Sequence, residues 1–367
     1  MRRSDEDYQS IAPWLPLVEL DYQSGIMCSD CFVSSTTLIN RVEQRYHGHA
    51  SSKKENLSSR TPNKQPKPTR PWHSLSKPTT TNTLPTMAPT IHLLRHAQGH
   101  HNLPPGTGTY TLRDPSLTPH GEQQCRLLRE TSFPAPSQSD ISLVLASPLR
   151  RTLQTASLVF EPALSARGGK CAPRILALPD AQEISDDPCD AGSDPGVLRG
   201  IVEEEGWAVD LALVREGWND KALEGRYSAR SEAVGARARD ARVFVRDRVR
   251  ELVRGGDGEA RVVLVAHGGW MHYFTGDWEG AWEGAGTGWG NCEVREFVFE
   301  GDLMGDEDCE ARLVETGESR RRRGKVGPMA GEEKQAEFFE LAMRSWGKQG
   351  LQRPDMVGVE ASVCTTL

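Results

Sequence analysis

From about residue 89 the rhythm of apolar and polar positions changes repeatedly. Five short runs dense in apolar and branched residues predict strands buried on both faces: "TIHLL" from Thr90, "ISLVLAS" from Ile141, "RILAL" from Arg174, "RVVLVAH" from Arg261 and "VREFVF" from Val294. Helical spacing lies between them. Val234, Ala238, Ala241, Val245, Val249 and Leu252 fall on one face of Ser231 to Arg254, arginines sit between them, and "RGG" supplies the stop. Ser147 followed by Pro148 reads as an N-cap and first-turn proline for a helix to about Phe160, and Asp194 with Pro195 repeats the device for a helix beginning near Val197. A further strand at "ARLVE" and an amphipathic helix from Gly331 to Trp346 close the pattern. Alternation of this kind predicts an α/β fold in three layers, a mostly parallel sheet with helices on both faces. A single domain is expected over 89–316, followed by a basic linker and C-terminal helix or tail over 317–367.

Composition changes the picture before residue 88. That stretch is rich in Ser, Thr, Pro, Asn and Lys, with too little apolar material to offset the entropy of ordering a core, and is expected to be a disordered extension. Met87 directly precedes the first strand, consistent with an internal start or a dispensable leader. The opening "MRRSDEDYQS" has no apolar core behind its arginines and carries early acids, unlike a transit peptide. The longest clean apolar run, Val262 to Ala266, is far too short to span a bilayer. Eight cysteines without regular spacing imply free thiols and a reducing compartment, so a cytoplasmic or nuclear address is expected. The formal net charge of -7 argues against a nucleic-acid or membrane-surface partner while leaving room for a local cationic pocket.

Three smaller motifs read as bland. Cys28 and Cys31 with His47 and His49 lack zinc-finger spacing. The arginine run Arg320 to Arg323 reads as solvated linker, and Cys364 to Leu367 match a prenylation box only formally.

The chemistry is written where the strands end, since an open α/β sheet binds ligands beyond the carboxyl ends of its strands. Arg95 and His96 follow the first predicted strand, Ser147 to Arg151 the second, and His267 with Gly268 and Gly269 the fourth. Two arginines and two histidines converging at one edge make an anion site, because guanidinium presents a planar fork to phosphate oxygens. The spacing suggests a phosphate pocket with an imidazole inside it.

Arg95-His96-Ala97-Gln98 with Asn102 resembles the R-H-G-[EQ]-x-x-x-N signature of the histidine phosphatase superfamily, the phosphoglycerate-mutase-like proteins. "SPLRRTLQTA" and "VAHGG" resemble that family's second and last elements. Leu117, Thr118, Gly121 and Gln124 resemble its L-T-x-x-G-x-x-Q segment. The resemblance implies a phosphatase with His96 as the nucleophile that takes the phosphoryl group, and a small phosphorylated metabolite or phosphoprotein as its partner. It implies phosphate contacts from Arg95, Asn102, Arg151 and His267, with His267 also stabilising the transferring group. Glu183, after the third strand, is the best match for the proton donor, and Asp190 the second. The cations would keep His96 unprotonated and neutralise phosphoryl oxygens, so no metal or other cofactor is implied.

Ala97 replaces the usual glycine. The third-strand acid lacks the E-R-x-Y-G context of true phosphoglycerate mutases, which lowers a mutase reading relative to a phosphatase one. A non-catalytic phospholigand-binding protein is the third reading. His100 and His101 are expected at the pocket mouth or in solvent, and Arg150 at the surface or behind the site. Trp278, Trp282 and Trp289 either wall the pocket or cover the core. The loops Pro104 to Arg113, Ser185 to Asp194 and Thr275 to Gly290 are expected to receive the leaving group.

Overall fold

The computed structural model describes residues 88–103, 109–165, 174–305 and 309–359. The expectations for the Ser/Thr/Pro-rich extension, Met87, the Cys28/Cys31 pair and the Cys364 tetrapeptide lie outside these residues.

The five apolar runs become strands of one sheet: β1 (Thr90–Arg95), β2 (Ile141–Ala146), β3 (Ile175–Ala177), β5 (Arg261–Ala266) and β6 (Val294–Phe299), joined by β4 (Val209–Asp210) and β7 (Leu313–Glu315). The order is β4-β3-β2-β5-β1-β6-β7. Pairing is parallel for β1 with β5, β5 with β2, β2 with β3 and β3 with β4, and antiparallel for β1 with β6 and β6 with β7. The sheet is therefore mostly parallel, as its continuous apolar runs predict.

Nine helices cover it among the described residues: α1 (Pro119–Thr131), α2 (Ala135–Gln138), α3 (Arg150–Val159), α4 (Glu161–Ser165), α5 (Pro195–Glu204), α6 (Ser231–Arg254), α7 (Gly268–Thr275), α8 (Gly317–Arg322) and α9 (Glu332–Lys348). Successive strand residues point to opposite faces. Ile91, Leu93, Val262 and Leu264 pack toward α6, α7 and α9. Leu94, Val144, Val263 and Val265 pack toward α1, α3 and α5 on the other side. The small stripe of α6, Val234, Ala238, Ala241, Val245 and Val249, is fully buried, and each such valine contributes about 1.5–3 kcal/mol on leaving water. Gly255 ends that helix, as expected.

The helix after β2 starts later than predicted. Its cap position is Leu149 and its first residue Arg150, because the Ser147 hydroxyl is engaged elsewhere, as described below. Asp194 does occupy the cap of α5, with Pro195 at its first position, but gives that helix no side-chain hydrogen bond. Its Oδ1 instead accepts from Asn219 Nδ2 at 2.8 Å.

The arginine run also departs from its expected role as solvated linker, since it forms α8. Glu315 ends β7 and Asp277 follows α7, and both are buried carboxylates that need cations. Arg323 donates to Glu315 Oε2 at 2.7 Å and Asp277 Oδ2 at 2.8 Å, while the buried Arg320 donates to Glu279 Oε2 at 2.9 Å. Beyond it α9 buries Ala342, Met343 and Trp346 in the same core as α6, and the Trp346 indole donates to Ala281 O at 2.8 Å. Among the described residues no helix is long and apolar enough to cross a membrane.

Candidate active site

The ends of β1, β2 and β5 meet because their register is fixed, with Arg95 opposite Ala266 and Ala146 opposite Val265. The ladders continue one residue further: His96 N donates to Ala266 O and Ser147 N to Val265 O, each at 3.0 Å. His96, Ser147 and His267 are thus placed by backbone geometry.

His96 is buried, and its Nδ1 lies 2.7 Å from Ala97 O. A carbonyl only accepts, so Nδ1 carries the hydrogen and Nε2 keeps its lone pair. The surrounding signature holds this residue still. Ala97 N donates to Thr155 Oγ1 of α3 at 3.1 Å, and Asn291 Nδ2 donates to His96 O at 2.9 Å. Gln98 is clamped by α1, since its N donates to Gln124 Oε1 at 2.9 Å and its Oε1 accepts from Thr118 Oγ1 at 2.8 Å. A Cβ on Gly121 would come within 2.1 Å of Gln98 O. The L-T-x-x-G-x-x-Q segment therefore acts as the support of the β1 loop.

Arg151, fully buried, is the hub behind His96. Its Nε donates to His96 Nε2 at 3.3 Å, one terminal nitrogen to Cys189 O at 2.7 Å, and the other to Asp190 Oδ1 at 2.8 Å and His267 Nδ1 at 3.2 Å. Because guanidinium can only donate, His267 Nδ1 accepts, leaving Nε2–H to donate to Ser147 Oγ at 2.9 Å. Ser147 is therefore the support of His267 rather than a helix cap. Arg150, by contrast, has its backbone N held by Asp114 Oδ1 at 2.8 Å, and its side chain stays outside the cavity.

Arg95 donates to the Trp289 carbonyl and keeps a buried Nε with no partner. Asn102 Oδ1 accepts from Gly99 N at 3.1 Å. His101, expected at the mouth or in solvent, is buried with its ring 5.3 Å from that of His96, and its Nδ1 is unpartnered. Gly99 makes this possible, since a Cβ there would meet His101 Nδ1 at 2.8 Å. His100 does not line the cavity. Burial, and after it the charge of Arg151, holds His96, His101 and His267 well below the ordinary imidazole value.

The acids after β3 separate by partner. Asp180 pairs with Arg226, Asp186 with Gln352, and Asp190 has both oxygens engaged, Oδ1 by Arg151 and Oδ2 by Ser185 at 2.6 Å. Glu183 lies at the N-terminus of α7, where its carboxylate accepts from Ile184 N and Trp270 N at 2.9 Å and from Gly269 N at 3.2 Å. Peptide donors favour the charged form, but burial and then the nearby Asp190 outweigh them and raise its pKa. Gly269 must lack a side chain, because a Cβ would reach Glu183 Oε1 at 2.8 Å. Behind Glu183, Lys221 Nζ at 2.8 Å and an Arg237 nitrogen at 3.0 Å donate to its carbonyl. Burial, with Arg237 beside it, brings Lys221 down to about 7. No motif in the sequence pointed to Asn291, Lys221 or Arg237.

These residues enclose a cavity of about 120 Å³, the space of roughly four waters. Arg95, His96, His101 and Asn102 form its floor, while Arg151 and His267 sit directly behind and do not line it. All three expected loops contribute walls, through Tyr110, Asp187 and Thr287. Trp346, Leu351 and Gln352 from the C-terminal segment, which no loop motif announced, complete the mouth. The tryptophans that could have walled it do not: Trp278 and Trp289 are buried in the core, and Trp282 packs on Phe338. Among the described residues no group of three or more His, Cys, Asp or Glu is placed to hold a metal ion.

Two histidines and two arginines thus converge at the carboxyl edge of an α/β sheet. The profile of the histidine phosphatase superfamily (branch 1) matches residues 91–166, the segment that carries Arg95, His96 and Arg151. Phosphoglycerate mutase-like protein of Arabidopsis thaliana is 28% identical over 211 residues, covering 50% of this chain and 72% of that one. Phosphoglycerate mutase-like protein 1 of the same plant is 31% identical over 172 residues, covering 37% of this chain and 61% of that one. Among solved structures, phosphoserine phosphatase of Entamoeba histolytica, in complex with 3-phosphoglyceric acid, aligns at 16% identity with a TM-score of 0.34 over 66% of this chain and 98% of that one. Mycobacterial glucosyl-3-phosphoglycerate phosphatase aligns at 18% identity and a TM-score of 0.33, over 62% of this chain and 97% of that one.

Proposed function

We propose that the protein is a metal-independent phosphatase that hydrolyses a phosphomonoester through a phosphohistidine at His96. The observation that carries this reading is the Nδ1 hydrogen bond of His96 to Ala97 O, which leaves Nε2 without a hydrogen, its lone pair accepting only from Arg151 Nε at 3.3 Å. A substrate phosphoryl group entering the cavity first meets the unpartnered Nε of Arg95 and the amide of Asn102, and gains the donors of Arg151, behind the floor, only as they swing from His96 Nε2 and His267 Nδ1 toward it.

His96 Nε2 attacks phosphorus as the ester P–O bond breaks. Glu183 gives its proton to the departing alkoxide. In the second half, Glu183 as carboxylate takes a proton from water, whose oxygen attacks phosphorus and breaks the N–P bond, releasing phosphate and restoring both groups. The dianion of the substrate raises the pKa of His267 and of Glu183, and so supports the protonated acid that the first step needs. Glu183 suits this role better than Asp190, whose two oxygens are held by Arg151 and Ser185.

Phosphate release from a panel of small phosphomonoesters, measured with chelator present, tests the reading. Wild-type protein should turn over at least one ester and carry an acid-labile phosphoryl group after quenching. His96→Ala should lose about 10⁴-fold or more. Turnover unchanged in His96→Ala, or abolished by chelator, would sink it.

A further inference from the structure

We propose that the natural substrate is a monoester whose alcohol carries no second anionic group and meets the mouth of the cavity with an apolar face. The inference rests on the phosphatase reading of the same cavity and adds what lies beyond the phosphoryl group.

The floor and the mouth have opposite character. With the phosphoryl group beside Arg95 and His96 on the floor, the rest of the substrate lies against the mouth. There Tyr110, Ile184, Trp346 and Leu351 present aromatic and aliphatic surface, and Asp187 presents a half-buried carboxylate. Asp187 has no ion-pair partner among the described residues; its Oδ2 accepts from Ser185 Oγ at 3.2 Å and its backbone N donates to the same oxygen at 3.2 Å. Asp186 lies alongside it.

Among the described residues no cation is placed to meet a second anion. Arg95 is the one Lys or Arg among the described residues that line the cavity, and it belongs to the floor. Lys221 and Arg237 are turned to the backbone carbonyl of Glu183.

A carboxylate or second phosphoryl group on the alcohol would therefore give up water to face apolar side chains and a like charge. An uncharged apolar body would instead cover Leu351 and Tyr110 and displace water from them. The same geometry disfavours a mutase cycle, which must hold a bisphosphate with its second phosphoryl group at the mouth.

Benzyl phosphate and 4-carboxybenzyl phosphate form a matched pair, with the same ester and a carboxylate on only one. The expected kcat/KM at pH 7 and low salt is about tenfold higher for the uncharged member, the size of a single like-charge contact at a protein surface. Asp187→Asn should narrow the ratio, and added salt should narrow it too. 3-Phosphoglycerate and 2,3-bisphosphoglycerate should be slower than benzyl phosphate. Equal or faster turnover of the carboxylated members, dependent on His96, would overturn the inference and leave the phosphatase reading standing. If no member of the set released phosphate through His96, the phosphatase reading would fall and this inference with it.

Discussion

At the floor of the cavity Arg95 and His96, with His267 directly behind them, are held by strands paired residue for residue, with further ties from Thr155, Asn291 and Ser147. At its mouth Tyr110, Asp187, Thr287 and Leu351 come from four segments of which none is a strand. The first region has one arrangement because moving any member breaks a buried hydrogen bond, which costs about 1–3 kcal/mol. The second is bounded by side chains that can change without disturbing the sheet. On the proposed function, reaction chemistry falls to the rigid part and choice of substrate to the adaptable part.

The strongest way to challenge this contrast is at Trp346, which belongs to the core and the mouth at once. Trp346→Ala removes a fully buried indole and its bond to Ala281 O, and should lower unfolding free energy by about 3–5 kcal/mol in urea titration. A loss below about 1 kcal/mol would mean that α9 is an appendage and the mouth is not anchored to the core.

Next in size is Glu183, where the two regions meet. Glu183→Gln should reduce kcat on alkyl esters by about 10²-fold or more, as expected for a lost general acid. Esters of acidic phenols, whose oxygen leaves without a proton, should be affected far less. Equal losses on both would assign Glu183 to holding the start of α7 rather than to proton transfer. In the wild type, kcat on alkyl esters should fall as pH rises through the elevated pKa of Glu183, since the protonated form is the donor.

Smaller per group is the effect of acid on stability. Burial holds His96, His101, His267 and His272 below the ordinary value, and His92 down to about 3. An unfolded imidazole takes a proton near pH 6.5 that the folded one refuses, so this stability is complete above pH 6.5 and is lost as pH falls below it. The loss is about 1 kcal/mol per imidazole for each pH unit, partly offset by Asp114, Glu183 and Asp187, whose raised values act in the opposite sense. Urea midpoints should therefore drop between pH 7 and pH 5; a flat or rising profile would contradict a floor built on neutral histidines.

The mildest change lies at the rim. Gln352→Ala removes the bonds of Gln352 to Asp186, at 2.6 Å and 2.9 Å, and should alter KM by about threefold or less with kcat unchanged. A large fall in kcat would show that the C-terminal segment reaches the reacting atoms and would erase the distinction between floor and mouth.

The same contrast explains what could be read before any coordinates. β1, β2, β3, β5, β6 and α6 were legible because a buried strand or an apolar stripe repeats with a fixed period. The convergence of Arg95, His96, Arg151 and His267 was legible because parallel strands bring their carboxyl ends to one edge. Ser147 was misjudged because its cap-like spacing is a local signal, while its bond to His267 joins residues 120 apart in sequence. Arg320 was taken for linker because nothing nearby in the chain shows that Asp277 and Glu315 are buried without other cations. Leu351 and Gln352 reach the mouth only through the packing of α9, which has no counterpart in sequence spacing.

One consequence lies in the reversed direction of β6. In a purely parallel sheet each strand sends only its outgoing connection to the functional edge. β6 runs against β1, pairing Leu94 with Val294, so it begins where β1 ends and delivers an incoming connection as well. That connection carries Thr287 to the cavity and Asn291 to the carbonyl of His96. The segment between α7 and β6 can therefore lengthen, shorten or change composition over evolutionary time while both of its ends stay pinned, giving this edge a place for new specificities to arise without re-registering the strands that do the chemistry.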